Sequence, residues 1–248
     1  MRQGYRIFDT HTHIGTARHS GRVQTAEDLL RSMDAWGVDR SVAIPFPVVE
    51  DFRAQHDEIG RAVRSHPDRL TGSCCIPPFI PGTEFRDEVR RCVEQWGFRA
   101  VKLQPQYQAL NPVSARSDFL FEAAAEHRLP VIVHTGTGVP FSLPSLYILK
   151  ARKFPDLPII LGHAGGSVYM HECIVAAAVC SNIYVELSSL MPHHILEITA
   201  HVPANRLLAG SDIIESVDAE LGKFLAMELP EPVRRAILWD TAEALFLN

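Results

Sequence analysis

Residues 5–13 read Tyr5-Arg6-Ile7-Phe8-Asp9-Thr10-His11-Thr12-His13. An apolar run ends in two histidines separated by one residue. Side chains alternate along a strand with a period of two. The spacing therefore predicts a first strand over Tyr5–Asp9, with His11 and His13 at its end and facing the same way. Two imidazoles side by side at a strand tip form half of a metal site.

Seven more short apolar runs follow: Ser41–Pro45, Leu70–Ile76, Ala100–Leu103, Val131–His134, Ile159–His163, Ile183–Leu187 and Leu207–Ser211. Amphipathic stretches lie between them, at Ala26–Trp36, Asp51–Ser65, Thr83–Trp96, Asp118–His127, Val168–Cys180 and Ile195–His201, and Glu231–Leu247 reads as a closing helix. Alternation of this kind predicts parallel strands joined by crossover helices. Continuous rather than alternating apolarity in the strands predicts that both faces are covered. Eight units in 248 residues fit an α/β fold of the (β/α)8 barrel type, one domain spanning 1–248. A doubly wound open sheet fits less well, because it usually has fewer strands and no GxGxxG follows the first one. Pro67, Pro130, Pro158 and Pro203 precede apolar runs, and no linker or repeat divides the chain.

The formal net charge is −5 with no basic stripe, which argues against nucleic acid as a partner. Five cysteines without a CxxC pair suit a reduced, cytoplasmic protein. Charges and Gly4 interrupt the N-terminus, so no leader is expected there, and no apolar segment has the length of a membrane span.

Polar residues recur where strands should end. Lys102 stands in Val101-Lys102-Leu103, His134 ends Val131–His134, His163 ends Ile159–His163, and Asp212 follows Gly210-Ser211. In a barrel all strand C-termini meet at one mouth, where active sites are built. A lone histidine in an apolar run is more often a hydrogen-bonded structural residue. Six polar residues, each at the same end of its own strand, argue for a site. His19, His56, His66, His127, His171 and His201 read as surface residues, while His193 and His194 are candidates for the mouth.

The chain resembles the amidohydrolase superfamily, in the branch of the aminocarboxymuconate semialdehyde decarboxylases and related small hydrolases. The resemblance rests on Asp9-Thr10-His11-Thr12-His13, Val101-Lys102-Leu103-Gln104-Pro105, Pro130-Val131-Ile132-Val133-His134-Thr135-Gly136, Leu161-Gly162-His163-Ala164-Gly165-Gly166 and Gly210-Ser211-Asp212. Ile237–Phe246 resembles the closing helix, with Asp240 where asparagine is common; Gln104 stands where histidine is common. The resemblance implies metal ligation by His11, His13, His134 and Asp212, with Asp212 and His163 as the catalytic pair. It implies one divalent metal, Zn²⁺ by expectation, with Mn²⁺, Fe²⁺ and Co²⁺ accepted by the same nitrogen and oxygen ligands. In some superfamily members the lysine of this strand is carboxylated and bridges two metals, so Lys102 and His163 are candidates for a second metal or for substrate. The Lys-Leu-x-Pro context resembles the mononuclear branch, where a free Lys102 amine could bind a substrate carboxylate.

Arg53, Arg18, Arg22 and Tyr107 are further candidates for substrate binding, Tyr107 and Phe141 for the pocket wall, and Glu186 for holding His163. Trp239 reads as closing the barrel bottom. The functional expectation is a metal-dependent hydrolase in which a metal-activated water cleaves an amide, lactone or ester-like bond of a small carboxylate-bearing substrate. The alternative is a nonoxidative decarboxylase of an unsaturated or aromatic acid. A barrel that merely binds, without catalysis, fits the complete polar set poorly. Short loops leave a pocket that is either open or completed by a second copy of the chain.

Overall fold

The computed structural model describes residues 1–248. Its strands are β1 (Phe8–Thr16), β2 (Val23–Gln24), β3 (Arg40–Pro45), β4 (Leu70–Cys74), β5 (Ala100–Leu103), β6 (Val131–His134), β7 (Ile159–Gly162), β8 (Ile183–Glu186) and β9 (Leu207–Leu208). They run in the order β2-β1-β3-β4-β5-β6-β7-β8-β9, and every neighbouring pair is parallel except β1 with the two-residue β2. The ring closes between its first and last members. Thr10 N–H donates to the Ala209 carbonyl at 2.9 Å, Asp212 N–H donates to the His11 carbonyl at 2.7 Å, and Thr12 bridges Asp212 in parallel. Eight parallel strands thus form the expected barrel, and β2 is an antiparallel flap on its rim.

The helices are α1 (Ala26–Trp36), α2 (Phe52–Ser65), α3 (Gly82–Trp96), α4 (Pro105–Gln108), α5 (Asp118–Glu126), α6 (Ile148–Lys153), α7 (Gly166–Val179), α8 (Pro192–His201), α9 (Val217–Ala226), α10 (Glu231–Arg235) and α11 (Thr241–Phe246). Local sequence explains α1 well. Thr25 and Asp28 form a reciprocal capping box, Leu29, Met33 and Trp36 face inward, and Gly37 ends the helix at φ 77°. The closing helix differs from expectation: a π-turn over Ala236–Asp240 separates α10 from α11.

Two apolar cores result. The larger packs the helices onto the outer faces of the strands. The smaller fills the barrel with Phe8, Val42, Ile44, Ala100, Ile132, Ile160 and Leu208, plugged from below by Trp239, Ala242 and Phe246. Phe8 meets Trp239 and Phe246 with ring centroids 5.5 and 5.8 Å apart. Burying one such ring contributes on the order of 1.5–3 kcal/mol, which anchors the base of β1. Trp239 closes the bottom, as its sequence context suggests.

Strand periodicity carries this interior column up to the mouth. Two residues beyond Ala100 is Lys102, two beyond Ile132 is His134, and two beyond half-buried Tyr184 is Glu186. In β1 the parity is reset. Three residues from Asp9 to Thr12 face two from Ser41 to Ala43, so a bulge inserts one extra residue. Phe8 and His11 therefore share the interior although three residues separate them. The first strand also continues through both histidines to Thr16, beyond its expected end at Asp9.

Candidate active site

His11 sits at the centre of the mouth and is fully buried. Its Nδ1 donates to Glu186 Oε2 at 2.9 Å, which leaves the Nε2 lone pair to accept from Lys102 Nζ at 2.5 Å. His13 Nδ1 donates to the Pro45 carbonyl at 3.1 Å, so its Nε2 is the bare nitrogen. His163 Nδ1 lies 2.7 Å from Ser188 Oγ, whose own hydrogen goes to Glu186 Oε2 at 3.0 Å. The serine oxygen must therefore accept from Nδ1, and His163 Nε2 is bare as well. Three rings are thus oriented by acceptors behind them.

Asp212 faces these nitrogens. Its Oδ1 lies 3.4 Å from His13 Nε2 and 3.8 Å from His11 Nε2. Lone pairs this close require a shared proton or a cation between them. His11, His13 and Asp212 offer ligand atoms within 4.8 Å of one another. Imidazole and carboxylate donors without a thiolate suit Mn²⁺, Fe²⁺, Co²⁺ or Zn²⁺. The residues present therefore fit a divalent metal. His134 stands beside them, its ring centroid 4.8 Å from that of His163. Its Nε2 donates to the Thr137 carbonyl at 2.9 Å, so Nδ1 is its free nitrogen.

Burial governs the charges. It pushes the His11 and His163 imidazoles well below their ordinary range, with further lowering from Lys102 at His11 and from His11 at His163. Burial and the Lys102 charge likewise take His134 down to about 4. Burial lowers the Lys102 ammonium to about 8. At Asp212 burial opposes ionisation, but the close approach of His13 Nε2 and of the His163 and His11 rings outweighs it and holds the carboxyl well below its usual range. Ligation needs this combination of neutral imidazoles and an ionised carboxylate.

The backbone around the site is tight. His163 and Asp212 adopt positive φ of 63° and 66°, sparsely populated by residues other than glycine. A Cβ at Gly210 would come within 2.6 Å of Glu186 Oε1 and 2.8 Å of His11 Cβ, so only glycine lets the two strands close on the ring. Asp9, buried beside them, was no site candidate in the sequence. Its carboxyl accepts from His11 N–H at 3.2 Å and from Ser211 N–H at 3.0 Å, joining the strands that carry His11 and Asp212. Burial raises it to about 7 against the lowering effect of the Ser211 hydrogen bonds. Its signal was its place in the Asp9-Thr10-His11 run.

Above the cluster opens a cleft of about 150 Å³, smaller than the roughly 300–1,000 Å³ of drug-sized sites and suited to a small ligand. His13, His134 and Asp212 line its floor. Phe46 stacks on His13 at 5.1 Å with 16° between planes, and Tyr107 stacks on His19 at 4.7 Å with 27°. Gln104, Gln106 and Arg22 complete the wall. Tyr107 thus reaches the cleft, and so does His19, which looked like a surface residue.

Other candidates lie elsewhere. Arg53 extends from α2 to Glu84 and Glu88 of α3 at 2.9 and 3.3 Å and does not line the cleft, because two acids claim it on the outer wall. Arg18 is exposed on the β1–β2 loop outside the cleft. Phe141, His193 and His194 do not line it either, and the two histidines belong to α8. Lys102 is fully buried beneath His11, so its amine cannot meet a substrate carboxylate in this arrangement. Glu186 holds His163 through the backbone N–H and Ser188, and it holds the His11 ring directly.

A closed parallel barrel with imidazoles and a carboxylate gathered at the C-terminal ends of its strands defines a class, the barrel enzymes of the amidohydrolase superfamily. The chain belongs to the amidohydrolase family: the family model Amidohydro_2, described as Amidohydrolase, matches residues 8–247. Among solved structures, it is similar to the 5-carboxyvanillate decarboxylase of Novosphingobium aromaticivorans DSM 12444, complexed with manganese and 4-hydroxy-3-methoxy-5-nitrobenzoic acid. That likeness has 17% identity and a TM-score of 0.81 over 100% of this chain and 97% of that one. It is also similar to the dihydroxybenzoic acid decarboxylase of Polaromonas sp. JS666 with bound manganese and 2-nitroresorcinol, at 16% identity and TM-score 0.78 over 98% and 97% of the two chains. A 2,6-dihydroxybenzoate decarboxylase complexed with 2,6-dihydroxybenzoate matches at 18% identity and TM-score 0.77, covering 99% of each chain. No curated protein sequence matches the chain. The metal in the first two structures is manganese, where zinc was the expectation for this chain. No helix is long and apolar enough to cross a membrane.

Proposed function

We propose that the protein is a metal-dependent decarboxylase that removes CO2 from an aromatic acid, using one divalent metal, Mn²⁺ foremost. The reading rests on one observation: the ligand atoms of His11, His13 and Asp212 converge under a cleft walled by the stacked pairs Phe46–His13 and Tyr107–His19. Flat rings in the wall suit a planar substrate. The manganese-bound decarboxylases on the same fold support this choice over the hydrolase expectation, which uses the same side chains.

His11, His13 and Asp212 would hold the metal, with His134 as the fourth ligand through Nδ1. When bound, it would supply a positive charge that attracts an acid substrate and stabilises the negative charge that develops in the reaction. In the reaction the C–C bond to the carboxylate breaks, CO2 leaves, and the electron pair stays on the ring carbon until a proton replaces the lost group. His163 Nε2 and the free Asp212 oxygen would take up a proton from water and pass it to the ring carbon. Glu186 and Ser188 keep His163 in the tautomer that presents Nε2. Phe46 and Tyr107 would flank the ring and orient it.

The test is a panel of hydroxybenzoates and of aromatic lactones incubated with Mn²⁺-loaded protein, with CO2 and products quantified. Release of CO2 with the matching phenol supports the proposal. Hydrolysis of a lactone with no CO2 from any acid would overturn it.

A further inference from the structure

Gln104 stands at the end of β5, lines the cleft, and is only 3% exposed. Its carboxamide makes no hydrogen bond within the protein, while its backbone is tied on both sides. The N–H donates to Gln108 Oε1 at 2.8 Å, and the carbonyl accepts from Tyr107 and Gln108 N–H at 3.1 and 2.9 Å. Gln108 in turn donates to the Ile76 carbonyl at 3.1 Å. A rigidly mounted amide that pairs with nothing inside the protein and reaches the cleft is free to pair with a ligand there.

The cations around the cleft narrow the ligand's chemistry. Arg22, the only cationic side chain that lines it, is paired with Glu215 at 2.5 Å. Arg53 is held by Glu84 and Glu88, and Lys102 is sealed below His11. Apart from the metal, the cleft therefore offers no uncompensated positive charge to a second carboxylate. Gln104 offers one acceptor and two donors without charge, which match a hydroxyl group.

We infer that Gln104 is the specificity-determining residue of this site: it hydrogen-bonds a ring hydroxyl remote from the reacting carboxylate and so selects hydroxylated aromatic monocarboxylates over aromatic dicarboxylates. The inference rests on the decarboxylase reading and adds which ring substituent is recognised and by which side chain. A site built to pair a hydroxyl rejects analogues that lack it, since the bound ring then covers the amide without giving it a partner.

Calorimetric titration of the Mn²⁺-loaded protein tests this without turnover, using initial heats at low temperature. The probes are 2-hydroxybenzoate, the 2,3-, 2,4-, 2,5- and 2,6-dihydroxybenzoates, and 5-carboxyvanillate. In the wild type the best dihydroxybenzoate should bind about tenfold or more tightly than 2-hydroxybenzoate, and 5-carboxyvanillate should bind at least about tenfold more weakly than that best isomer. Gln104→Met should bring the first ratio close to one. Gln104→Arg, a gain of function that a misfolded protein cannot mimic, should reverse the second by supplying a free cation. A Gln104→Met protein that keeps the wild-type ratio overturns this inference and leaves the decarboxylase reading intact. A wild type that prefers 5-carboxyvanillate does the same. If the loaded wild type binds none of the benzoates, the decarboxylase reading fails and this inference with it.

Discussion

Glu186→Gln replaces a single atom and tests how the site is held. Glu186 is fully buried. Its Oε2 receives His11 Nδ1 at 2.9 Å, His163 N–H at 3.0 Å and Ser188 Oγ at 3.0 Å, and its Oε1 receives Ser188 N–H at 2.6 Å. All four partners donate, so a carboxamide cannot satisfy them. If its oxygen takes the Oε2 place, the NH2 group confronts the Ser188 N–H and one buried donor pair is orphaned. That arrangement costs about 1–3 kcal/mol. The other rotamer confronts three donors and pushes His11 to the tautomer whose Nε2 carries a hydrogen, where it cannot ligate. Removing a partner of this kind typically weakens metal binding by about 10–100-fold. For a chain of this length the stability loss corresponds to roughly 2–12 °C in melting temperature. Competition against a fluorescent chelator measures Mn²⁺ affinity, and scanning calorimetry of the metal-free protein measures stability. A variant that binds Mn²⁺ as tightly as the wild type would show that Glu186 does not orient His11 as a ligand.

Four further outcomes follow from the same geometry. Asp212→Asn should lower turnover by at least about a hundredfold, because it removes both the ligand charge and the proton carrier; steady-state rates of CO2 release check this. Stripping the metal should lower the melting temperature by roughly 5–11 °C relative to protein at a hundred times its dissociation constant, since that excess stabilises by about 2.7 kcal/mol; an unchanged transition would argue against a resident metal. Glu88, buried in α3, is held at about 2: burial would raise it, but hydrogen bonds from His56 and Arg91 prevail. Its folded value is depressed, so its contribution of about 3 kcal/mol is present above pH 4.5 and is lost as the pH falls towards 2, and Glu88→Gln should flatten that part of the acid-unfolding profile. Arg53→Ala should leave benzoate affinity within about twofold, because Arg53 serves Glu84 and Glu88 rather than the cleft; a tenfold loss by titration calorimetry would place it in the site after all.

Much of the architecture was legible along the chain. The runs Ala100–Leu103 and Val131–His134 are strands to the residue, and Ala26–Trp36 is a helix to the residue, because capping chemistry and apolar spacing are local. What lacked a local signal was missed. β2 is two residues long, and neither α6 nor α9 carries a side-chain cap to announce it. The closing helix was read as continuous because a π-turn in Ala236–Asp240 breaks neither helical spacing nor composition. The candidate substrate arginines show the same limit. Arg53 and Arg22 are both pocket candidates in the sequence, and only their acid partners, at least thirty residues away along the chain, separate one on the outer wall from one in the cleft.

The sequence by itself determined the barrel, its eight strands, and the polar residues that reach its mouth. Those features follow from a two-residue period and from apolarity on both faces of each strand, and neighbouring residues are enough to express them. Only the tertiary structure decided how the polar residues are used. A bulge between Asp9 and Thr12 turns His11 into the interior, Glu186 and Ser188 choose the ring tautomers, and Lys102 is sealed beneath His11 while Gln104 is left unpaired at the cleft. Each of these depends on hydrogen bonds and packing between strands far apart in sequence. A single imidazole or carboxamide carries no mark of the partner it will meet.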